Sequence, residues 1–219
     1  MATWDSIYQR KGIIQPRPLP AIKKLTHFIK DTGNNRTILD IGCGTGRHTF
    51  YLHQKFPDAK IYAYDNSPKA LEIIKEIKEA SSISDERMII FEHNMDKALP
   101  YQDLKFDIVV SSLVIHHGFF DEIKERLDTS LSLVKDNGFF VLIVPSTKDP
   151  RYATGETAKD GTKLNTDQDD GDIPHYFFSK DLIEKLFQNY SIVDIHEYER
   201  PMVTAVGAAV NWEIIVKKE

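Results

Sequence analysis

Cysteine is almost absent from this sequence, because Cys43 is the only one among 219 residues. A disulfide within the chain is therefore impossible, which excludes a small secreted scaffold held together by such bonds. A single thiol is consistent with a reducing compartment, and we expect a cytoplasmic protein.

Long apolar runs and an excess of basic residues are missing as well. No hydrophobic stretch approaches the roughly 20 residues that span a bilayer, and residues 1–10 lack the basic-then-apolar layout of a secretory signal. Lysine and arginine number 28 against 33 aspartates and glutamates, a formal net charge of -5. Sequence-independent nucleic-acid binding needs a dense basic surface. We expect a soluble monomer or homodimer with neither a nucleic-acid nor a membrane partner.

The sequence does contain a regular alternation of strand and helix patterns. Strands are predicted at 37–41, 60–64, 88–91, 106–111 and 139–144, and helices at 19–31, 45–54, 69–80 and 121–134. Alternation of this kind requires crossover connections and indicates an α/β fold with a mostly parallel sheet. The strand at 139–144 is apolar throughout, as expected when both of its faces are covered.

The alternation stops at Pro145. Residues 145–178 form a polar insertion with an acidic run at 167–172, and such length without clear structure is typical of a lid or a disordered segment. A helix is predicted at 180–188, followed by strands at 192–198 and 206–217 that suit an antiparallel pair at one sheet edge. We expect a single domain over 1–219, with residues 1–35 as an N-terminal helical cap and residues 145–178 as a lid-like insertion.

A glycine-rich loop, Gly42-Cys43-Gly44-Thr45-Gly46, follows the first predicted strand. Glycine lets the backbone approach a ligand, and the free N–H groups of the next helix attract an anionic group. A P-loop is excluded because no Gly-Lys-Ser/Thr follows the glycines. A dinucleotide loop needs a third glycine for close helix–strand packing, and Arg47 occupies that position. Judged from this loop alone, a dinucleotide remains a possible ligand, although the loop fits it poorly.

Further motifs follow the glycine loop in order along the chain. They are Asp65 at the end of the second strand, Asn94-Met95-Asp96 after the third, the stretch 106–117, and the turn 137–140. Together with the segment 39–46, this series resembles the class I S-adenosylmethionine-dependent methyltransferases. The resemblance covers about residues 4–219. It implies a Rossmann-like three-layer sandwich with a seven-stranded, mostly parallel sheet and an antiparallel last strand. S-adenosyl-L-methionine is the implied cofactor.

The resemblance assigns most of the polar residues at these strand ends to the cofactor. Asp65 matches the acid that holds the ribose hydroxyls, Asp96 the acid that contacts the adenine amino group, and the loop after the fourth strand lies beside the methionine moiety. The implied cofactor-binding residues are Asp40, Gly42, Cys43, Gly44, Thr45, Gly46, Asp65, Asn66, Asn94, Met95, Asp96, Ser111 and Ser112. Trp4 and Tyr8 are candidates to cover the cofactor pocket.

Candidate catalytic residues are His116, His117, His175 and Tyr176. Methyl transfer is an in-line displacement in which positioning can supply up to ~7–11 kcal/mol in ideal intramolecular cases. A base is needed only when the acceptor carries a proton at neutral pH. Adjacent histidines indicate a metal site only with further ligands at suitable spacing. None is evident nearby in the sequence, so no metal is expected.

Three functions follow from these features. The first is methyl transfer to a small molecule whose acceptor atom is oxygen, nitrogen, sulfur or a metalloid. Trp4-Asp5-x-x-Tyr8 and the segment 173–179 are similar to the tellurite-resistance type of small-molecule methyltransferase. The motif of enzymes that methylate amino groups of DNA bases is absent after the fourth strand, where Ser111-Ser112-Leu113-Val114 stands. The alternatives are a nicotinamide-dependent oxidoreductase and a non-catalytic module that binds S-adenosylmethionine.

Overall fold

Helices and strands alternate along the chain, as the sequence pattern predicts. The computed structural model describes residues 3–14, 16–29, 35–101, 103–166, 173–204 and 207–219. The elements are α1 (Trp4–Lys11), α2 (Pro20–Phe28), β1 (Thr37–Ile41), α3 (Arg47–Lys55), β2 (Lys60–Asp65), α4 (Pro68–Ala80), β3 (Met88–Glu92), β4 (Phe106–Ser112), α5 (Phe120–Ser132), β5 (Val134–Pro145), a 3-10 helix (Pro150–Ala153), β6 (Glu156–Thr157), β7 (Lys163–Leu164), α6 (Lys180–Leu186), β8 (Ser191–Thr204) and β9 (Gly207–Lys217). Within the described ranges, no helix is long and apolar enough to cross a membrane.

One seven-stranded sheet organises the fold, in the order β3-β2-β1-β4-β5-β9-β8. Strands β1 to β5 are parallel to one another, whereas β9 is antiparallel to both β5 and β8. The predicted α/β sandwich with an antiparallel last strand is confirmed. The sheet extends from β1 through β2 on one side and through β4 on the other, so the strand order reverses beside β1. Ligands of such sheets bind at the carboxyl ends of the strands beside this reversal.

The two faces of the sheet bury different sets of side chains, because successive residues of a strand point to opposite sides. On one face, Ile38 and Val110 pack with Leu25 of α2 and Leu52 of α3. On the other, Leu39, Val109 and Phe140 pack with α5 and α6. Both faces are covered, which explains the continuous apolar run in β5.

Several predicted boundaries are wrong. The helix predicted at 121–134 ends at Ser132, and Val134 already begins β5, where it is buried and pairs with Phe106. The turn expected at 137–140 lies within β5, where Asn137 has a φ of 62°. The helix predicted at 45–54 starts only at Arg47, because Gly46 has a left-handed φ of 88°. The helix predicted at 19–31 ends at Phe28, and residues 30–34 lie outside the described residues.

The insertion has more regular structure than the sequence predicts. It contains the 3-10 helix and a small antiparallel sheet of β6 and β7. Asp149 caps this 3-10 helix by accepting a hydrogen bond from the backbone of Arg151 at 3.0 Å. The acidic run of the insertion, residues 167–172, lies outside the described residues.

Candidate active site

The glycine loop turns sharply between β1 and α3, with φ angles of 61° at Gly42 and 54° at Gly44. A Cβ on Gly42 would lie 2.3 Å from Val114 Cγ2, and a Cβ on Gly44 would lie 2.5 Å from the Tyr8 hydroxyl. These close approaches and the left-handed conformation both require glycine. The loop leads directly into the N-terminus of α3, whose N–H groups and dipole favour an anionic ligand.

Asp65, at the end of β2, is hydrogen-bonded to the glycine loop. Its Oδ2 accepts from the Gly44 N–H at 2.8 Å, and its Oδ1 accepts from the Ser67 N–H at 3.0 Å. Burial is the main influence on its pKa and raises it, against these hydrogen bonds, which lower it. A carboxylate has about four lone-pair positions, so Asp65 retains acceptor capacity for a ligand hydroxyl. The neighbouring Asn66 is exposed.

Asp40 lies in the interior between β1 and α3. Its Oδ2 accepts a hydrogen bond from Thr49 Oγ1 of α3 at 2.6 Å, and the residue is only 2% exposed. Burial, the largest influence, raises its pKa to about 6. Asp40 therefore links β1, the strand that precedes the glycine loop, to α3, the helix that follows the loop.

Replacement of Asp40 by asparagine is expected to raise the free energy of unfolding at neutral pH. The folded-state pKa of about 6 exceeds the ordinary 3.8, so stability is lost as the pH rises between these values. Two pKa units correspond to roughly 3 kcal/mol, and asparagine can still accept from Thr49. Urea unfolding should show a larger gain for Asp40→Asn at pH 7.5 than at pH 4.5. An equal or smaller gain at pH 7.5 would contradict the assignment.

The segment after β3 is held near the surface by an arginine of α5. Asn94 Oδ1 accepts from the Asp96 N–H at 2.9 Å, and Asp96 Oδ1 accepts from Arg126 Nε at 2.5 Å. Arg126 also donates through Nη1 to the carbonyl of His117. Asn94 is exposed, and Met95 packs against the core. Arg126 thus connects the loop after β3 with the loop after β4.

The loop after β4 carries several strained or buried residues at the end of the strand. Leu113 has a φ of 60°, which is uncommon for a residue with a branched side chain. Ser111 and Ser112 are buried, and Ser112 Oγ accepts from Arg47 Nη2 at 3.3 Å. Val114 fills the space above Gly42. The loop after β4 and the glycine loop therefore pack directly against each other.

Three of the four predicted catalytic residues come together. The segment before α6 pairs with the loop after β4: Tyr176 N donates to the His116 carbonyl at 2.9 Å, and Gly118 N donates to the Pro174 carbonyl at 3.0 Å. The ring centroids of His116 and His117 are 3.8 Å apart, and that of His175 lies 5.5 Å and 4.7 Å from them.

Tyr176 does not join this group of rings. Its ring packs against Phe120 and Phe178 at centroid distances of 4.9 Å and 5.4 Å. Neighbouring residues of an extended segment point to opposite sides, so His175 and Tyr176 diverge. Burial, then the adjacent histidines, lower the pKa of His116 well below its usual value. The His116 imidazole is therefore neutral at pH 7.

Helix α1 lies over the glycine loop and the histidines, and it carries Trp4 and Tyr8, the residues expected to cover the cofactor pocket. The Trp4 ring contacts the His117 ring edge-on at 4.8 Å. Asp5 Oδ1 accepts from Ser67 Oγ and from Lys69 N, each at 2.8 Å. These bonds attach α1 to the start of α4, directly beyond Asp65.

A buried polar group beside the end of β5 was not predicted from the sequence. Asn211 and Glu213 of β9 are fully buried, and Glu213 Oε2 accepts from the Ala21 N–H at 2.5 Å. Arg200 of β8 is also buried, and burial followed by Arg47 and Arg151 lowers its pKa to about 10. Polar residues alternating with apolar ones normally mark a solvent-facing side, so the pattern of β9 gave no sign of burial.

Comparison with known proteins identifies the family. Residues 32–190 match the family described as methyltransferase domain. A release factor glutamine methyltransferase from Bacteroides thetaiotaomicron is 32% identical over 101 residues, covering 46% of this chain and 35% of the relative. A trans-aconitate 2-methyltransferase from an Enterobacter species is 38% identical over 73 residues, covering 33% and 27%. The chain thus spans about a third of the length of these curated relatives.

Solved structures of low sequence identity share the fold. TehB from Haemophilus influenzae superposes with a TM-score of 0.69 at 12% identity, covering 98% of this chain and 66% of that one. An S-adenosylmethionine-dependent methyltransferase from Methanosarcina mazei gives 0.71 at 18%, covering 92% and 98%. The resemblance to the tellurite-resistance type is confirmed at the level of the fold. The chain belongs to the methyltransferase family, which confirms the resemblance to the class I S-adenosylmethionine-dependent methyltransferases that its motifs indicate.

Proposed function

We propose that the protein transfers a methyl group from S-adenosylmethionine to a small molecule. The main support for this proposal is that helix α1 and the segment 173–178 cover the site. Tyr8 approaches Gly44, Trp4 contacts His117, and the segment 173–178 pairs with the loop after β4. An acceptor must reach the methyl group through the space that these segments leave, which favours a small molecule over a folded protein or RNA. The names of the relatives include both a protein acceptor and a small acid.

The cofactor is held from three sides in this proposal. Backbone N–H groups of the glycine loop and of the start of α3 bind the methionine carboxylate. Asp65 accepts hydrogen bonds from the ribose hydroxyls with its remaining lone pairs. Asp96 accepts from the adenine amino group through its second carboxylate oxygen, since the first accepts from Arg126. Ser111 Oγ is buried with no hydrogen-bond partner among the described residues, so a ligand group beside the end of β4 can satisfy it.

Transfer is an in-line displacement at the methyl carbon. When bound, S-adenosylmethionine would supply the methyl group on a sulfonium sulfur, which would leave as a neutral thioether when the acceptor lone pair displaces it. Burial and fixed geometry align the acceptor with that carbon, the kind of positioning that lowers barriers without a dedicated base. The cluster of His116, His117 and His175 lies on the acceptor side, and an imidazole there takes the proton of an acceptor that carries one.

The wider setting of the enzyme is also proposed. We infer one domain, with α1 and α2 as a cap and residues 145–178 as a lid over the acceptor. A cytoplasmic monomer or homodimer that does not act on nucleic acid fits the acidic charge balance and the single buried thiol of Cys43. The comparisons give no support to a nicotinamide-dependent oxidoreductase.

Methyl transfer from labelled S-adenosylmethionine is expected with a small-molecule acceptor only. The panel should contain alcohols, amines, thiols, carboxylic acids and metalloid oxyanions, with ribosomal RNA, transfer RNA and a release factor assayed in parallel. Label in RNA or protein, with none in any small molecule, would contradict the proposal. Tight binding of S-adenosylhomocysteine without transfer to any acceptor would instead support the non-catalytic module, and NADH serves as a ligand that should not bind.

A further inference from the structure

Three imidazole rings converge where the loop after β4 meets the segment before α6. One ring nitrogen of each of His116, His117 and His175 lies within 4.8 Å of the corresponding atoms of the other two. His116 and His175 are 4% and 2% exposed, and His117 is half-buried. The chain brings these side chains together from segments 58 residues apart, because His117 and His175 pair as neighbours across a short antiparallel bridge.

Backbone carbonyls fix the tautomers of two of these rings. His175 Nδ1 lies 2.8 Å from the Ile173 carbonyl, and His117 Nε2 lies 3.2 Å from the Leu113 carbonyl. A carbonyl oxygen can only accept, so each of these nitrogens carries the hydrogen. In a neutral ring the lone pair is then on the other nitrogen, Nε2 of His175 and Nδ1 of His117. Histidine ligands of metal ions are oriented by such a bond from the second nitrogen to a backbone carbonyl.

The third ring supplies an independent sign of a missing ligand. Nδ1 of His116 is buried and has no hydrogen-bond partner within the described part of the chain. A buried polar atom left without a partner is costly, and native structures usually satisfy it with a protein group, water or an ion. A cation between the rings would satisfy the lone pair of His116 together with those of His117 and His175.

We propose that His116, His117 and His175 form a binding site for a divalent transition-metal ion, with zinc as the ion that the ligand set fits best. Three neutral imidazoles and one open position are the arrangement of catalytic zinc sites. Bonds of about 2.0–2.1 Å place tetrahedral ligand nitrogens roughly 3.3 Å apart, so small side-chain movements close the present spacing. The proposal departs from the expectation, drawn from the sequence, that no metal binds. That expectation considered only ligands close in sequence to His116 and His117.

The open position suggests how the ion serves the reaction. It lies on the acceptor side, where a bound metal ion replaces an imidazole as the group that activates the acceptor. The ion lowers the pKa of a bound hydroxyl or thiol, the proton leaves to water, and the ion holds the resulting anion. This use depends on the proposed function, whereas metal binding itself does not. The structure therefore assigns the cluster a ligand that can be measured without any acceptor.

Cobalt(II) titration of the full chain, freed of any affinity tag and chelator, tests the site. One equivalent should give visible absorption bands of a four- or five-coordinate ion, and one equivalent of zinc should displace it. His117→Gln and His175→Gln should each weaken cobalt binding by about 100-fold, whereas His27→Gln, which alters an exposed histidine of α2, should bind as the parent does. Circular dichroism checks that each variant is folded.

X-ray absorption at the zinc edge gives a second measurement that needs no variant. Three imidazole nitrogens around the bound ion are expected, with an oxygen ligand such as water in the remaining position. Absence of the visible bands in the parent protein, fewer than two imidazoles around zinc, or unchanged cobalt affinity in folded His117→Gln and His175→Gln would each overturn the proposal. Metal binding with no methyl transfer would sustain the site and argue only against the proposed reaction.

Discussion

Asp65→Ala is expected to lower the affinity for S-adenosylhomocysteine by roughly 100-fold or more. The carboxylate of Asp65 supplies acceptors to the ribose hydroxyls in the proposed cofactor pose, and it also holds the Gly44 N–H at 2.8 Å. A hydrogen bond to a charged group contributes about 1.5–3 kcal/mol. Two such bonds amount to at least roughly 3 kcal/mol, or about two orders of magnitude in Kd. Calorimetric titration measures the loss directly.

Two comparisons separate the ribose contact from the loop contact. A 2′-deoxy analogue of S-adenosylhomocysteine should bind the parent more weakly than S-adenosylhomocysteine, whereas Asp65→Ala should bind both compounds equally. Asp128→Ala removes an exposed acid from α5 and should leave both affinities unchanged. If Asp65→Ala binds the 2′-deoxy analogue more weakly than S-adenosylhomocysteine by the same factor as the parent does, the carboxylate only orders the glycine loop and does not contact the ribose.

The parallel sheet and its ligand edge could be predicted from the sequence because their determinants are local. Each strand is a short apolar run, and the carboxyl ends of parallel strands meet at one edge. The glycine loop and Asp65 follow neighbouring strands, so their contact through the Gly44 N–H follows from the topology. The cover by Trp4 and Tyr8 could be suggested only through the family resemblance.

Features that depend on long-range packing could not be predicted. His175 lies far from His117 in sequence, and only the bridge between the two segments brings it near. The start of β5 at Val134 depends on pairing with Phe106, whereas the local pattern around it continues a helix. Glu213 alternates with apolar neighbours as a surface residue would, yet α2 covers it. In each case a distant segment decides the environment.

The histidine cluster and the cofactor loop share one structural support. Arg126 donates both to Asp96 and to the carbonyl of His117, and Val114 of the same loop fills the space above Gly42. A shift of the loop after β4 would therefore alter the adenine side, the glycine loop and the histidines together. Cofactor binding and the geometry of the proposed metal site are expected to be coupled for this reason.

Gly44→Ala is expected to lower the affinity for S-adenosylhomocysteine at least tenfold and the free energy of unfolding by about 1–2 kcal/mol. A left-handed conformation costs a residue with a Cβ about that much, and Gly44 has a φ of 54°. The added methyl group would also lie 2.5 Å from the Tyr8 hydroxyl. Chemical unfolding and calorimetric titration measure the two losses separately.

A double variant distinguishes the clash with Tyr8 from the loss of ligand space. Tyr8→Phe removes the hydroxyl and leaves Cζ as the nearest atom, at 3.4 Å from the new methyl group. Gly44→Ala with Tyr8→Phe should therefore regain part of the stability but little of the affinity, because the methyl group still occupies the surface that faces the cofactor. Gly12→Ala, also at a positive φ of 62° but with no atom within 4 Å of its Cβ, strains the backbone away from the loop and should bind as the parent does. Recovery of full affinity in the double variant would mean that Gly44 serves only to accommodate Tyr8, and the close approach of cofactor to this loop would have to be abandoned.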